Sequence, residues 1–242
     1  MATGFLSEVF LSFQGEGTQV GRRQLFIRLA GCNLRCRYCD TPDSLERVAR
    51  YTVFDGDGRS HERPNPASAA EVIEAIQPLL ESEPPLDGTA VTGGEPLLQV
   101  EFLAELLADQ RLPRPRLLET NGMLPEPLRA VLPVVDVVSM DMKLPSNSGE
   151  RAFWDQHARF LALAGDKAYV KILVDAGTAV DEVGRAAALV ASRVPVFLQP
   201  ITAADGRLDV GATDLTRFFA AARRHAPDVR VLPQTHKMLA IQ

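Results

Sequence analysis

Short apolar runs recur along the chain from residue 24 onward, separated by polar and proline-rich or glycine-rich segments. Continuous apolar runs of this length are typical of strands that are covered on both faces, as in a parallel sheet. The pattern predicts strands at Gln24–Leu29, Gly88–Thr92, Arg116–Glu119, Val134–Met140, Ala168–Val174, Val194–Gln199 and Val229–Leu232.

The segments between these strands carry apolar residues at helical spacing. The predicted helices are Ala67–Glu81, Val100–Asp109, Pro125–Val131, Glu150–Ala164, Ala179–Ser192 and Leu215–His225. Alternating strands and helices imply right-handed crossovers, and they form either a barrel or a doubly wound sheet. Of the two, we favour an incomplete βα barrel, formed by a single domain over residues 1–242.

The segment Tyr51–Arg63 interrupts this alternation. Its Asp-Gly-Asp-Gly centre at residues 55–58 is flanked by β-formers and predicts an inserted hairpin. The same acidic residues suggest a calcium loop, but the rest of the EF-hand pattern is missing, including its closing glutamate. We therefore expect a hairpin without a bound calcium ion.

Composition and charge narrow the class of protein. Hydrophobic residues make up 46% and charged residues 24% of the 242 residues, as in an ordinary globular protein. The formal net charge is −5 without a long basic run, so we expect no nucleic-acid partner. Neither a bilayer-spanning apolar stretch nor a secretory signal is evident, which predicts a cytoplasmic protein without a membrane partner.

All three cysteines lie within one short segment, Cys32–Cys39, at the end of the first predicted strand. Three thiols cannot form a paired disulfide framework, and soft thiolates favour an iron–sulfur cluster or zinc. A closed zinc site requires a fourth ligand, and His61 in the predicted hairpin is the other donor that we considered. A group of buried thiols without a metal is the third alternative.

Two motifs resemble the radical S-adenosylmethionine superfamily. The first is the Cys-x3-Cys-x2-Cys spacing of Cys32, Cys36 and Cys39, and the second is Gly-Gly-Glu-Pro at residues 93–96. The resemblance implies that the three cysteines hold a [4Fe–4S] cluster and leave one iron open for S-adenosylmethionine. It also implies that the backbone and the carboxylate of the second motif hold the methionine amino group. Alone, that motif could be a turn that caps the next helix.

Further segments resemble the 7-carboxy-7-deazaguanine synthase family within that superfamily. They are Phe13-Gln14-Gly15-Glu16-Gly17, Phe-Ile-Arg-Leu-Ala-Gly-Cys at 26–32, Cys39-Asp40-Thr41, Leu118-Glu119-Thr120-Asn121-Gly122, Gln199-Pro200 and Gln234-Thr235-His236-Lys237. The resemblance runs from residue 8 to residue 242. Two departures are Asp141-Met142-Lys143 in place of a Ser-Pro-Lys sequence, and Gln242 in place of a terminal proline.

The resemblance assigns expected roles residue by residue. Substrate contacts are implied for Phe13, Gln14, Gly15, Arg28, Thr92 and Gln242, and further contacts for Glu16, Glu119 and His236. Contacts with S-adenosylmethionine are implied for Tyr38, Cys39, Asp40, Gly94, Asp141, Met142, Lys143, Gln199, Pro200, Ile201 and Thr202. The Thr41 hydroxyl is implied to bind Mg²⁺, an ion that prefers oxygen ligands.

Several of these residues also have a purely structural interpretation. Arg28 lies inside an apolar strand, where either a structural carboxylate or a substrate carboxylate could neutralise it. Thr41 could simply form a local turn, and Asp141 with Lys143 could be a surface ion pair. His236 could be a packed side chain. The apolar end of the chain, Met238–Ile241, is expected to be buried, either as a lid over the substrate or as a plug.

The implied reaction converts 6-carboxy-5,6,7,8-tetrahydropterin to 7-carboxy-7-deazaguanine with loss of ammonia. It requires the cluster, S-adenosylmethionine and Mg²⁺, together with an electron donor such as flavodoxin, and the enzyme is expected to be a homodimer. One alternative is an activase that installs a glycyl radical on a partner protein, and the other is a non-catalytic iron–sulfur or zinc module.

Overall fold

The computed structural model describes residues 1–56, 58–190, 194–203 and 205–241, and within them one large sheet organises the fold. The strands are β1 Thr3–Gly4, β2 Leu6–Phe13, β3 Arg23–Leu29, β4 Arg50–Phe54, β5 Ser60–Pro64, β6 Ala67–Ser68, β7 Thr89–Gly93, β8 Arg116–Thr120, β9 Val137–Met142, β10 Ala168–Val174, β11 Val196–Pro200 and β12 Val229–Val231. The α-helices are α1 Ala69–Ala75, α2 Gln77–Leu80, α3 Val100–Ala108, α4 Pro125–Val131, α5 Pro145–Ser148, α6 Trp154–Ala164, α7 Val180–Val190, α8 Ala212–Arg223 and α9 Thr235–Met238.

The large sheet is mostly parallel, with the strand order β12-β11-β10-β9-β8-β7-β3-β2-β4-β5. The seven strands β3, β7, β8, β9, β10, β11 and β12 pair in parallel with their neighbours in this order. Each is joined to the next by a connection that contains a helix. Three further strands extend the sheet beyond β3. Strand β2 runs antiparallel to β3, β4 runs parallel to β2, and β5 runs antiparallel to β4. Strands β1 and β6 form a separate small antiparallel pair.

The sheet curls without closing, as predicted for an incomplete barrel. Within the described residues, no pairing joins the edge strands β12 and β5. The curvature is evident from Glu16, just after β2, which contacts Lys171 on β10 and Gln199 on β11 across the concave side. None of the helices that the structure describes is long and apolar enough to span a membrane.

The outer, convex face of the parallel strands packs against the helices and forms the main core. On β10, for example, Val170 and Ile172 are both fully buried, and they belong to the same cluster as Phe102 of α3 and Phe160 of α6. Burying an aliphatic or aromatic side chain of this size contributes about 1.5–3 kcal/mol. This layer fixes the strands whose opposite face forms the cleft described below.

The sequence pattern predicted the parallel strands and the hairpin, which is β4–β5, but it missed other elements. Strand β2 was not predicted, because Ser7, Glu8 and Ser12 break its apolar run. The predicted helix Ala67–Glu81 is divided at Ile76 into α1 and α2, and α1 begins with a capping box at Ser68. The predicted helix Glu150–Ala164 begins only at Trp154. Helix α7 extends to Val190, and residues 191–192 of the prediction lie outside the described residues.

Candidate active site

A cleft opens at the carboxyl ends of the parallel strands. It encloses about 1250 Å³, including space open to solvent. Most of the predicted site residues line it: Phe13, Gln14, Gly15, Glu16, Arg28, Cys32, Cys36, Tyr38, Cys39, Asp40, Thr41, Thr92, Gly94, Glu119, Asp141, Lys143, Gln199, Ile201 and His236. In barrels of βα units, this is the edge that carries active sites.

The concave face of the sheet is arranged in two layers of inward-pointing side chains. The lower layer is mainly aromatic and apolar and consists of Phe10, Phe26, Ala90, Leu117, Tyr169 and Phe197. A polar layer lies above it, two residues farther along the strands that carry Phe26, Ala90, Leu117, Tyr169 and Phe197. Strand β9 contributes Asp141 to the same layer. The polar layer consists of Arg28, Thr92, Glu119, Asp141, Lys171 and Gln199. Because side chains alternate along each strand, one polar group points into the cleft from each of the strands β3, β7, β8, β9, β10 and β11.

The cysteine loop follows β3 and is held from two sides. On one side, the Arg37 amide donates to Ser148 O at 2.9 Å, and the Arg35 amide donates to Glu150 Oε1 at 2.6 Å. On the other side, Asn121 Nδ2 donates to Asn33 Oδ1 at 2.8 Å. The loop has little regular structure of its own, so these contacts fix where its thiols lie.

The three thiols are all partly buried in the cleft and form no disulfide. Burial raises the pKa of Cys36 to about 11, against the opposing effect of Lys143. Burial also raises the pKa of Cys32. At neutral pH, Cys32 and Cys36 are therefore protonated in the free protein, and a bound metal is the factor that would ionise them.

Two glycines at the end of β7, Gly93 and Gly94, allow the segment that leads into the cysteine loop to lie close to the backbone. A Cβ at Gly93 would lie 2.1 Å from Leu29 O, and one at Gly94 would lie 2.3 Å from Gly31 O. Gly93 also has φ +130°, a conformation that favours glycine. These positions therefore require glycine for the packing of the loop, whatever else they bind.

The carboxylate of Glu95, which the resemblance implied to hold the methionine amino group, is bonded by the turns around it. Its side chain is fully buried and accepts hydrogen bonds from Leu97 N, Thr120 Oγ1 and Asn121 N at 2.8–3.0 Å. Burial outweighs these bonds and raises the pKa of Glu95 to about 7. This carboxylate therefore braces the turns after β7 and β8.

A buried charge network lines one wall of the cleft and extends from there to Glu16, in the loop after β2. Asp141 Oδ2 lies 3.0 Å from Lys143 Nζ, and its Oδ1 lies 2.9 Å from Lys171 Nζ. Lys171 Nζ also donates to Glu16 Oε2. Burial would raise the pKa of Asp141, but the two lysines outweigh it and lower that pKa. Burial would likewise lower the pKa of Lys171, but Asp141 and Glu16 keep it well above its usual value.

The opposite wall holds the residues that were predicted to contact the substrate. Glu119 accepts hydrogen bonds from Gln14 Nε2 at 3.0 Å and from Thr92 Oγ1 at 2.8 Å. Arg28 Nε lies 2.7 Å from Glu8 Oε1, so a structural carboxylate does pair with this guanidinium, as one interpretation of the sequence required. Arg28 nevertheless lines the cleft, beside the stacked rings of Phe10 and Phe26.

The end of the chain reaches the same edge of the sheet. Gln234, His236 and Lys237 line the cleft, and Lys237 Nζ lies 2.8 Å from Asp40 Oδ2. Burial would raise the pKa of Asp40, but Lys237 and a hydrogen bond from Gln234 lower it to about 2. The predicted burial of the apolar tail is wrong for Met238 and Leu239, which are 56% and 66% exposed. Gln242 lies outside the described residues.

Comparison with known proteins identifies the family. The family model described as Radical SAM superfamily matches residues 26–184. A 7-carboxy-7-deazaguanine synthase of Geobacter sulfurreducens is 38% identical over 97% of this chain and 96% of its own length. A 7-carboxy-7-deazaguanine synthase of Thermococcus kodakarensis is 36% identical over 98% of both chains. This chain belongs to the 7-carboxy-7-deazaguanine synthase family of the radical SAM superfamily.

A solved structure is similar in fold. The crystal structure of QueE from Escherichia coli aligns with a TM-score of 0.62, at 19% identity, over 96% of this chain and 94% of that one. The α/β fold of the radical SAM kind, predicted as an incomplete barrel of (βα)6 type, is therefore confirmed.

Membership in the radical SAM superfamily gives this enzyme a [4Fe–4S] cluster and S-adenosylmethionine as cofactors. The donor set fits the cluster, because three partly buried thiols from one loop line the cleft. His61, the other donor that the sequence suggested, pairs with Asp55 at 2.9 Å in the hairpin. In the described part of the chain, no three His, Cys, Asp or Glu side chains are close enough to hold a single metal ion.

Three predicted residues of this radical SAM enzyme do not line the cleft. The side chain of Met142 is fully buried in the main core, because it follows Asp141 and points to the opposite face of β9. Pro200 and Thr202 are buried at the end of β11, and the Thr202 amide donates to Gln234 Oε1 at 3.4 Å. These two residues contribute backbone and support to the cleft wall.

Sequence reasoning overlooked Lys171 and the support that Asn121 gives to the cysteine loop. Of the two, Lys171 carried a signal in the sequence. Lys171 is the single charged residue in the otherwise apolar run of β10, Ala-Tyr-Val-Lys-Ile-Leu-Val. Asn121 was noted within a motif, but its contact with Asn33 joins positions far apart in the chain, which no local pattern reveals.

Proposed function

We propose that this enzyme converts 6-carboxy-5,6,7,8-tetrahydropterin to 7-carboxy-7-deazaguanine with loss of ammonia. The observation that supports the proposal most strongly is the shared cleft. The cysteine loop, the glycine turn and the polar layer of the concave face all line one cavity, in a chain related over its whole length to enzymes of that name. A cleft with separate thiol-lined and polar walls suits a reaction in which a cofactor and a small substrate meet.

The thiol-lined wall would hold the cofactors. Cys32, Cys36 and Cys39 would bind the cluster. S-adenosylmethionine would be held by Gly94, Asp141, Lys143, Gln199 and Ile201, together with Tyr38 of the cysteine loop and Asp40 directly after it. When bound, the reduced cluster and S-adenosylmethionine supply the one-electron chemistry that removes a hydrogen atom from the substrate. Gln199 Oε1 is buried without a hydrogen-bond partner in the described residues, which suits an acceptor for a ligand donor.

The opposite wall would bind the pterin. The Arg28 guanidinium attracts the substrate carboxylate, and its partner Glu8 fixes the orientation of that guanidinium. Gln14, Glu119 and Thr92 present hydrogen-bonding groups at the height of the cleft where a flat, nitrogen-rich ring would lie. The stacked Phe10 and Phe26 rings form an apolar floor beneath it. Phe13, Gly15, Glu16 and His236 complete this wall.

Mg²⁺ would bind near Thr41, which lines the cleft directly after Asp40. One hydroxyl oxygen with substrate oxygens and water is a suitable ligand set for this ion. The segment Gln234–Lys237 would cover the substrate, since its side chains face the cleft and Lys237 is fixed by Asp40. Burial of the exposed Met238 and Leu239 is not part of the proposal.

The proposal includes partners and surroundings that follow from this chemistry and from the family. The cluster consumes an electron that a donor such as flavodoxin would deliver, and we infer a homodimer of single-domain chains. Free thiols grouped so closely suit a reducing compartment such as the cytoplasm.

Anaerobic turnover tests the proposal. Reconstituted enzyme is incubated with the carboxypterin, S-adenosylmethionine, Mg²⁺ and a reductant, and the products are identified by mass spectrometry. We expect 7-carboxy-7-deazaguanine and one equivalent of ammonia from the parent, and neither from Cys36→Ala. Cleavage of S-adenosylmethionine without any pterin product would contradict the proposal and favour the activase alternative.

A further inference from the structure

Lys171 lies at the centre of the concave face but has no role in the chemistry described above. Its side chain is 3% exposed, and it projects from the middle of β10 between Tyr169 and Leu173 on the same face. Its ammonium group contacts Glu16 and Asp141, which are 125 residues apart in the sequence. One group thus joins the loop after β2 to the end of β9.

Stability alone does not account for a lysine at this position. Removing an ammonium group from water costs several kcal/mol, and pairing it with carboxylates often does no more than offset that cost. Replacing such a buried network with apolar residues is frequently neutral or stabilising. The neighbours Val170 and Ile172 show that this strand readily carries aliphatic side chains. The charge is therefore best explained by what it positions.

The two partners of Lys171 belong to different walls of the cleft. Asp141 also pairs with Lys143, whose Nζ lies 5.4 Å from the ring centroid of Tyr38 in the cysteine loop. Glu16 also accepts hydrogen bonds from Gln199 at 2.8 Å and from Gln234 at 2.9 Å. A continuous polar path therefore runs from the cysteine loop through Lys171 to the loop that carries the predicted substrate contacts.

We propose that Lys171 is a positioning residue that holds the two walls in register, fixing Glu16 on the substrate side and Asp141 on the S-adenosylmethionine side. The inference rests on the proposed function for the identity of the two ligands. Loss of the ammonium group leaves two buried carboxylates without their shared cation, so both shift toward solvent and both ligands are misplaced. A residue that served only one wall would affect only one ligand.

Three variants test the proposal, with two readouts on reconstituted enzyme. The affinity for S-adenosylmethionine is measured by calorimetry without turnover, and the KM for the carboxypterin is measured by product formation. Lys171→Met should weaken S-adenosylmethionine binding and raise the pterin KM, each about tenfold. Glu16→Gln should raise mainly the pterin KM, and Asp141→Asn should weaken mainly S-adenosylmethionine binding.

Lys167→Met is the matched control, because Lys167 precedes β10 and, among the described residues, donates to backbone Leu132 O and Val135 O at 2.7 Å. It should change neither constant. The proposal is overturned if Lys171→Met changes neither ligand or only one of them. Should Lys171→Met not fold, the Glu16→Gln/Asp141→Asn double variant decides, since effects that pass through a shared lysine are non-additive. Simple additivity there would contradict the proposal.

The calorimetric readout also separates this inference from the proposed function. Calorimetric binding of S-adenosylmethionine requires no turnover. If the parent enzyme made no deazaguanine, the proposed function would be contradicted, but the binding measurement would still test the role of Lys171. A parent that turns over normally beside an unaffected Lys171→Met variant would end only the inference.

Discussion

The two faces of the parallel strands differ sharply, although the same strands build both. On the convex face, consecutive outward positions such as Val170 and Ile172 are aliphatic and fully buried under the helices. On the concave face, an apolar lower layer gives way within two residues to charged and polar groups, as between Tyr169 and Lys171. Stability therefore resides mainly on one face and binding on the other, separated by the thickness of a single sheet.

This division explains how so many charges are tolerated at the centre of a small protein. The polar layer lies above the apolar lower layer, toward the carboxyl ends of the strands, and its Arg28, Asp141 and Lys171 each have an oppositely charged partner. Below it, the concave face is mainly apolar. Substitutions on the convex face should thus alter folding, and substitutions in the polar layer should alter ligand binding.

The largest effect is expected from the convex face. Ile172→Ala removes a fully buried side chain beside Lys171 and leaves a cavity, which should lower the free energy of unfolding by about 3 kcal/mol. Denaturant unfolding measures this, and kcat/KM at low temperature should remain within about twofold of the parent. Val231→Ala, at a position that is 42% exposed, is the control and should change stability little. A large loss of activity in folded Ile172→Ala would contradict the division of the two faces.

His157 of α6 is a polar exception within the outer layer. It is fully buried, and its Nε2 lies 3.1 Å from Asn121 O. Burial lowers the pKa of His157 to about 4, against the raising effect of this hydrogen bond. The unfolded chain takes up a proton near pH 6.5, so the stabilising contribution is complete above that pH and is lost as the pH falls toward 4.

Between pH 7 and pH 5, this difference amounts to about 2 kcal/mol of stability. His157→Gln should therefore lose less stability than the parent over that interval, by about this amount. Denaturant unfolding at the two pH values measures the difference. An equal decrease in both proteins would show that His157 does not sense pH and is simply part of the packed layer.

The smallest of the three effects is expected at Arg28 on the concave face. A lysine retains the charge but cannot form the planar, two-point pair that a guanidinium makes with a carboxylate. Arg28→Lys should raise the KM for the carboxypterin about tenfold, or about 1.4 kcal/mol, and leave that for S-adenosylmethionine unchanged. Equal increases for both would indicate that Arg28 mainly holds Glu8 in place.

The sequence predicted the convex face better than the concave one, for a physical reason. Burial under helices produces continuous apolar runs, and such runs predicted all seven parallel strands of the described sheet. Strand β2 was not predicted, because its Ser7, Glu8 and Ser12 interrupt the apolar pattern. Its place in the sheet depends on pairing with β3 and β4, which local pattern does not encode.

The site was predicted mainly through motifs, and their limits are equally physical. A motif of consecutive residues cannot distinguish the two faces of a strand, so Asp141 and Met142 received the same expected role although they point in opposite directions. Glu95 was expected to hold a ligand through its motif, which gave no sign that its carboxylate also braces the turns after β7 and β8. Lys171 stood out in composition only, and its importance became evident from two carboxylates that are distant in the sequence.

The most direct test of the division between the two faces compares Asp141 with Met142. The measurement is calorimetric binding of S-adenosylmethionine to reconstituted Asp141→Asn and Met142→Leu, beside the parent. We expect Asp141→Asn to weaken binding about tenfold, because its carboxylate lines the cleft and fixes two lysines. Met142→Leu conserves volume in the core and should leave the affinity within about twofold of the parent. Equal weakening by both variants would contradict the account.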